Sequence, residues 1–336
     1  MSNTFGILLK LTTFGESHGA AIGGVLDGMP ARMSVDVAEV QRFVNRRRTA
    51  WNIFDSSRVE SDRVEILSGL LDGKTLGTPI GFIVRNTDAR PSDYDALANA
   101  YRPSHADFTY QMKYGIRDHR GGGRASARET VARVVAGGIA IQALRQAGVT
   151  IEAQVESIGG EKEPAAIEKI LAEASRQGDT LGGIVSCVAH GVPAGLGEPV
   201  YGKLSARLAD AMLSIPAAHG FDYGDGFNLA NMRGSEALDL FVKRADGRIG
   251  TSTNHSGGIQ GGISNGEDIT FRVAFKPVAT LMREVPTVDG QGNPITLQPQ
   301  GRHDVCVVRR AVPVVEAMAA LVLLDAFLLA NKNMKS

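Results

Sequence analysis

Two cysteines in 336 residues are too few for a disulfide framework, and Cys187 and Cys306 form no motif with one another. The chain therefore reads as a cytoplasmic protein. Neither sign of charge is in excess, since 36 Lys and Arg balance 36 Asp and Glu. That balance argues against nucleic acid as a main partner, because binding a phosphate backbone needs a basic surface. The N-terminus lacks a basic region followed by an apolar core, so no secretory signal is expected. Residues 311–331 are strongly apolar, but Glu316 and Asp325 interrupt them. Such charges are costly at the centre of a bilayer, which makes a buried or interface helix the expectation and excludes a membrane partner. There is no repeat of fixed period and no low-complexity linker, so one domain over residues 1–336 is expected.

What the chain does have is glycine, 40 residues of it, against an ordinary 43% hydrophobic content. So much glycine points to tight turns and close backbone approaches rather than a helical bundle. Hydrophobic spacing predicts strands over 4–13, 22–25, 149–158, 183–190 and 269–275. Two more, over 63–71 and 78–85, flank Asp72-Gly73, a hairpin signal. Helices are predicted over 35–48, from about 107 to 114, over 127–146, 164–176 and 204–213, and at the C-terminal end. The glycine-rich stretches 220–234 and 247–266 resist assignment. Hairpins interspersed with helices, without regular βαβα alternation, indicate an α+β fold with antiparallel sheets.

The stretch from His119 to Thr130 reads His-Arg-Gly-Gly-Gly-Arg-Ala-Ser-Ala-Arg-Glu-Thr. Three glycines let the backbone approach a ligand closely. Ser126 followed by Glu129 has the spacing of a capping box, which marks a helix start. On the helix that follows, Val131, Val134, Val135 and Ile139 share one face, and Gly148 is placed to stop it. A glycine turn feeding a helix N-terminus suits an anion, and Arg120, Arg124 and Arg128 add cations at the same place. The plain alternative is a glycine turn with solvated arginines. A nucleotide-hydrolysing phosphate loop is disfavoured, because its Lys-Ser/Thr pair and surrounding βαβ unit are missing.

Two of the seven histidines lie in polar, non-periodic stretches, where functional side chains concentrate. His18 follows Glu16-Ser17, and His105 follows Arg102-Pro103-Ser104. Imidazole titrates near neutral pH, so each is a candidate for proton exchange with a ligand. No histidine pair has the spacing of a zinc site and the cysteines do not complete one, so no metal is expected. Arg46, Arg47 and Arg48 end a predicted helix, and Arg302 stands in Gly301-Arg302-His303-Asp304. Arginine offers a rigid fork that matches carboxylate and phosphate. Taken singly, a solvated helix end and a turn residue explain these arginines as well.

Taken together, the motifs resemble the signature stretches of the chorismate synthase family. They run in order over nearly the whole chain: residues 14–19, 102–107, 121–130, 191–199, 254–264 and 301–306. The resemblance implies helices sandwiched between antiparallel sheets, assembled as a homotetramer. It also implies a trans-1,4-elimination of phosphate from 5-enolpyruvylshikimate 3-phosphate, giving chorismate with reduced FMN as cofactor. NADPH would enter only as a reductant of that flavin. By the same resemblance His18 serves near the departing phosphate, and His105 sits against the flavin. Ser17, Ser126 and Asp304 match further site positions. Arg124, Ala125, Ser126, Gly261, Lys276, Pro277, Val278, Ala279, Thr280 and Arg302 match flavin contacts. Arg47, Arg48 and Arg128 match the cations that bind substrate.

Two stretches depart from the family pattern. After Arg48 the family continues with Pro-Gly and then an arginine, where this chain has Thr49-Ala50-Trp51-Asn52 and then Ile53. Arg58 is a candidate replacement, and Trp51, Ile53 and Phe54 equally fit a packing patch or subunit contact. Ala237 stands at a flavin contact that is often Asn. The altered loop keeps a second reading open, a catalytically impaired relative that binds flavin or substrate as a binding or assembly subunit.

Overall fold

The computed structural model describes residues 3–48, 61–88, 94, 97–298 and 304–333. Strands β1 (Thr4–Phe5), β2 (Lys10–Phe14) and β3 (Ala21–Asp27) are followed by helix α1 (Val37–Asn45). Next come β4 (Val64–Ile66), a small hairpin of β5 (Leu70–Leu71) and β6 (Lys74–Thr75), and β7 (Ile80–Arg85). The first sheet has the order β1-β2-β3-β7-β4 and is antiparallel throughout. Helices α2 (Asp107–Tyr114) and α3 (Thr130–Gln146) precede β8 (Thr150–Ile158), α4 (Pro164–Arg176), β9 (Gly183–His190) and α5 (Leu204–Leu213). The later strands are β10 (Ala218–Tyr223), β11 (Phe241–Lys243), β12 (Ile249–Thr251), β13 (Ile259–Gln260), β14 (Ile263–Ser264), β15 (Ile269–Phe275), β16 (Val285–Val288) and β17 (Pro294–Leu297). Helix α6 (Val308–Asn333) closes the described chain. The second large sheet has the order β10-β15-β9-β8, again antiparallel.

The two sheets enclose the helices. α3 packs on β2, β3 and β7, α6 packs on β8 and β9, and α3 and α6 pack on each other. This is the α+β fold that the sequence pattern predicts, arranged as the sandwich that the family resemblance implies. Strand β15 shows why its inner face is buried: Ile269, Phe271, Val273 and Phe275 alternate inward, the period of two that a pleated strand imposes. Helix α3 differs from an ordinary surface helix. Its valines are fully buried, but so are Thr130, Ala132, Ala136 and Leu144, on other sides. A helix covered all round has no polar face to show. Gly137 sets the distance to α6: a Cβ there would stand 2.3 Å from the Cβ of Ala317.

The two acidic groups of α6, Glu316 and Asp325, have protein partners. Asp325 is fully buried and accepts the N–H groups of Ile7, Leu8 and Leu9, each at 2.8 Å, together with Arg207. This carboxylate also explains why residues 4–13 form two short strands instead of the single one expected. The backbone turns aside at Gly6, which has φ of 96°, to bring three donors to one acceptor. Glu316 accepts both ends of the Arg46 guanidinium, at 2.5 and 3.0 Å, and the N–H of Ala153 at 3.0 Å. Among the described residues, 308–330 is the one segment long and apolar enough to cross a membrane, and it lies mostly buried in the core. Internal partners for both carboxylates fit that placement, since burying a charge without them is costly.

Smaller differences have local causes. The Asp72-Gly73 turn closes the inserted β5–β6 hairpin, while β4 itself pairs with β7. At 126–130 the helix start is a 3-10 turn, Ala127–Glu129, before α3 begins. Ser126 caps it as expected, accepting the Arg128 N–H at 3.3 Å. Glu129 does not reach back to complete the box; it forms an ion pair with Arg133 one turn on, at 2.9 Å.

Candidate active site

A cavity of about 850 Å³ opens where the glycine turn meets the ends of both sheets and the start of α6. His18, His105, Arg124 and Asp304, four residues far apart in the chain, all line it. So do Arg47, Arg48, Arg128, Ala125, Ser126 and the whole segment Lys276, Pro277, Val278, Ala279, Thr280.

Gly121, Gly122 and Gly123 have φ values of 67°, 85° and 53°, a left-handed run that side chains resist. The lack of side chains is also used directly. A Cβ on Gly121 would lie 2.3 Å from His18 Cε1, and one on Gly122 would lie 2.9 Å from His105 Cε1. Both imidazoles therefore rest on bare glycine backbone. His18 Nδ1 lies 3.2 Å from the hydroxyl of fully buried Ser17, and the His18 ring meets Tyr94 edge-on at 4.9 Å. Asn86 braces this loop by donating to the carbonyls of Glu16 and Gly19, at 3.1 and 2.8 Å. His105 Nδ1 lies 2.9 Å from the carboxylate of Asp107, which is itself gripped by Arg102.

Eight cationic side chains line the cavity among the described residues, against three carboxylates, Asp62, Glu129 and Asp304. Asp62 pairs with Arg128 and approaches Arg47 at 3.6 Å. Burial alone would raise the Asp62 pKa, but Arg128 and then Arg47 hold it below the usual carboxylate range. Burial, with Arg310 close by, pulls the pKa of Arg47 down to about 9. Arg310 donates to Asp304 at 2.6 Å and to the Arg47 carbonyl at 3.1 Å. Arg124 donates to the Thr13 hydroxyl at 2.7 Å. Two of the lining arginines carry a buried guanidinium nitrogen, Nη1 of Arg124 and Nη2 of Arg128, with no hydrogen-bond partner among the described residues. Buried donors of this kind cost free energy unless a ligand meets them. The arrangement suits a ligand carrying several negative charges.

The sequence model of the family described as chorismate synthase matches residues 9–328. A chorismate synthase from Azobacteroides pseudotrichonymphae is 54% identical over 350 residues, spanning 97% of this chain and 99% of that one. One from Parabacteroides distasonis is 52% identical, over 98% and 99% of the two chains. The chain belongs to the chorismate synthase family. A solved crystal structure of chorismate synthase matches the fold with a TM-score of 0.75 at 30% identity, over 97% of this chain and 93% of that one.

Not every position that the resemblance points to meets at this cavity. Ser17 does not line it and stands behind His18. Gly261, with φ of 63°, sits in the turn of the β13–β14 hairpin and is not part of the lining, and neither is Ala237. Arg302, Ile53 and Arg58 lie outside the described residues. Arg120 turns away from the anion site to hold Asp118 at 2.8 Å, so the glycine turn contributes Arg124 and Arg128 only. Among the lining residues that escaped the sequence reading are Asp62, Tyr94, Arg133, Tyr110 and Arg310. Arg310 and Arg133 sit in helices that read as core, and Asp62 precedes a strand without any motif of its own.

Proposed function

We propose that this chain catalyses the trans-1,4-elimination of phosphate from 5-enolpyruvylshikimate 3-phosphate, yielding chorismate, with reduced FMN bound in the same cavity. One observation carries the reading: His18, His105, Arg124 and Asp304 converge on a single cavity lined, among the described residues, by eight cations and three carboxylates. The substrate has a phosphate and two carboxylates, and a surplus of arginines matches that charge. Chorismate synthase family membership supports the same reaction and places it in aromatic amino acid biosynthesis.

The residues present fit a flavin. Arg124 and Arg128 line the cavity and each carries a buried nitrogen with no partner among the described residues, and Arg124, Ala125, Ser126 and Lys276 to Thr280 would hold the flavin. Bound there, reduced FMN would supply electron density to the elimination and a site for a proton. The protein's own part is to bind, orient and manage protons. Asp62 keeps the Arg47 and Arg128 forks in place for anionic groups of the substrate. Ser17 and Tyr94 fix the His18 ring, which holds a proton for the departing phosphate. A homotetrameric cytoplasmic enzyme, with NADPH serving only to reduce the flavin, completes the proposal.

Purified protein given photoreduced FMN and substrate under anaerobic conditions should release chorismate and phosphate in equal amounts. Tight flavin binding without chorismate would overturn the catalytic reading and leave a binding subunit in its place.

A further inference from the structure

The segment Arg102 to Asp107 carries a feature that the reaction outlined above does not use. Asp107 is 3% exposed, and both of its oxygens are engaged. Oδ2 accepts the Arg102 backbone N–H at 3.1 Å and Arg102 Nε at 2.8 Å. Oδ1 accepts Arg102 Nη2 at 2.8 Å and lies 2.9 Å from His105 Nδ1. Arg117 Nη1 stands 3.6 Å from the same oxygen. Bonds from Arg102 and His105 outweigh burial and hold the Asp107 carboxyl well below the usual range. With Arg102 donors on both oxygens, it stands as an acceptor.

We propose that Asp107 is a positioning residue that fixes the His105 imidazole with its proton on Nδ1, so that Nε2 is the nitrogen presented to a ligand in the cavity. The alternative is that Nδ1 accepts from Arg102 Nη2, which lies 3.1 Å away. That contact is the longer of the two, and the same Nη2 already has Asp107 Oδ1 at 2.8 Å. A bare Nδ1 at 2.9 Å from a carboxylate oxygen would set two lone pairs against each other. The opposite edge of the ring, Cε1 and Nε2, lies over Gly122 at the cavity, where no Cβ intervenes. Carboxylate, imidazole and ligand thus stand in series, the arrangement by which a carboxylate sets a histidine tautomer. This deepens the proposed function and rests on it only for the identity of the ligand.

The test is a long-range proton–nitrogen NMR spectrum of the full-length protein labelled with ¹⁵N-histidine, with His105 assigned by its loss in His105→Gln. A pyrrole-type Nδ1 is expected in the wild type, and a pyridine-type Nδ1 would overturn the proposal without any variant having to fold. Asp107→Asn supplies the second arm. Two donors that cannot reverse, the Arg102 N–H and Nε, meet the Oδ2 position against one, Arg102 Nη2, at Oδ1, so the amide oxygen should settle at Oδ2 and the amide N–H₂ should face His105 Nδ1, reversing the tautomer. Turnover should then fall on the order of 100-fold with KM little changed. A reversed tautomer with unchanged turnover would overturn the proposal. A wild-type enzyme with the expected tautomer but no chorismate formation would support the role of Asp107 and sink the proposed reaction.

Discussion

Asp62 binds Arg128 beneath the cavity, in an ion pair with side chains only 3% and 7% exposed. Arg47 joins the same carboxylate from the other side at 3.6 Å. Removing one partner of a buried pair leaves the other charge uncompensated, at a cost of about 3–5 kcal/mol. Asp62→Asn should therefore lose stability of that order in urea denaturation. It should also raise KM for substrate at least tenfold, because two arginine forks lose their common anchor. A variant of wild-type stability and KM would show that the arginines are held by other groups.

The same carboxylate gives a sign for acid stability. The pKa of Asp62 and that of Asp107 are depressed in the folded protein relative to the unfolded chain. Each contribution is fully present above the unfolded value of about 3.9 and is lost as pH falls through the folded value. Unfolding free energy measured from pH 6 downwards should hold steady to about pH 4 and then decline. Asp107→Asn should flatten that decline, and an unchanged slope would mean that the carboxylate is not coupled to folding.

Arg124 and His18 should separate binding from chemistry. A charge-assisted hydrogen bond contributes about 1.5–3 kcal/mol, so Arg124→Ala should weaken FMN binding by roughly 10- to 150-fold in a fluorescence titration. His18→Ala removes a proton carrier and should cut turnover by about 100-fold or more while flavin affinity stays close to wild type. Equal losses of affinity and turnover at His18 would make its ring a packing group.

The helix core offers a test that does not involve the site. Gly137 faces Ala317, and an added Cβ would approach to 2.3 Å. Alanine would ordinarily gain about 1 kcal/mol over glycine inside a helix. Here the overlap should outweigh that gain and destabilise Gly137→Ala by about 1–3 kcal/mol, read from the denaturation midpoint. A stabilised variant would mean that α3 and α6 can separate without cost.

How much of this was legible in the sequence depends on the range of the forces involved. Strands such as β15 and helices such as α4 follow from local hydrophobic spacing, and they begin and end where that spacing predicts. The break between β1 and β2 depends on Asp325, more than 300 residues away, and no local pattern announces it. The 241–264 region forms its short hairpins on glycine turns, where apolar periodicity carries little information. Within the site, the glycine turn, His18 and His105 were visible because they break periodicity in polar company. Asp62 and Arg310 were not, because their roles arise only when separate elements bring opposite charges together. Glu129 misled for the same reason: a local capping pattern lost to a neighbouring arginine.

Gly121 joins the fold to the chemistry, and its replacement should divide the two. Its φ of 67° lies in the left-handed region, where an alanine costs roughly 1–2 kcal/mol. The new methyl would also meet Cε1 and Nδ1 of His18 at 2.3 and 2.4 Å, and the imidazole, as a side chain, is the group that can yield. Stability should drop only by that modest amount, since the three nearest atoms, Ser17 Oγ at 3.0 Å among them, all belong to side chains. Turnover should suffer more, because a displacement of about 1 Å at a reacting group can cost 100-fold. FMN affinity should change little if Arg124 keeps its bond to Thr13. Gly121→Ala should therefore be a folded protein with near-normal flavin titration and a kcat reduced about 100-fold. Wild-type turnover in that variant would mean that the position of His18 on the glycine turn is irrelevant to the reaction.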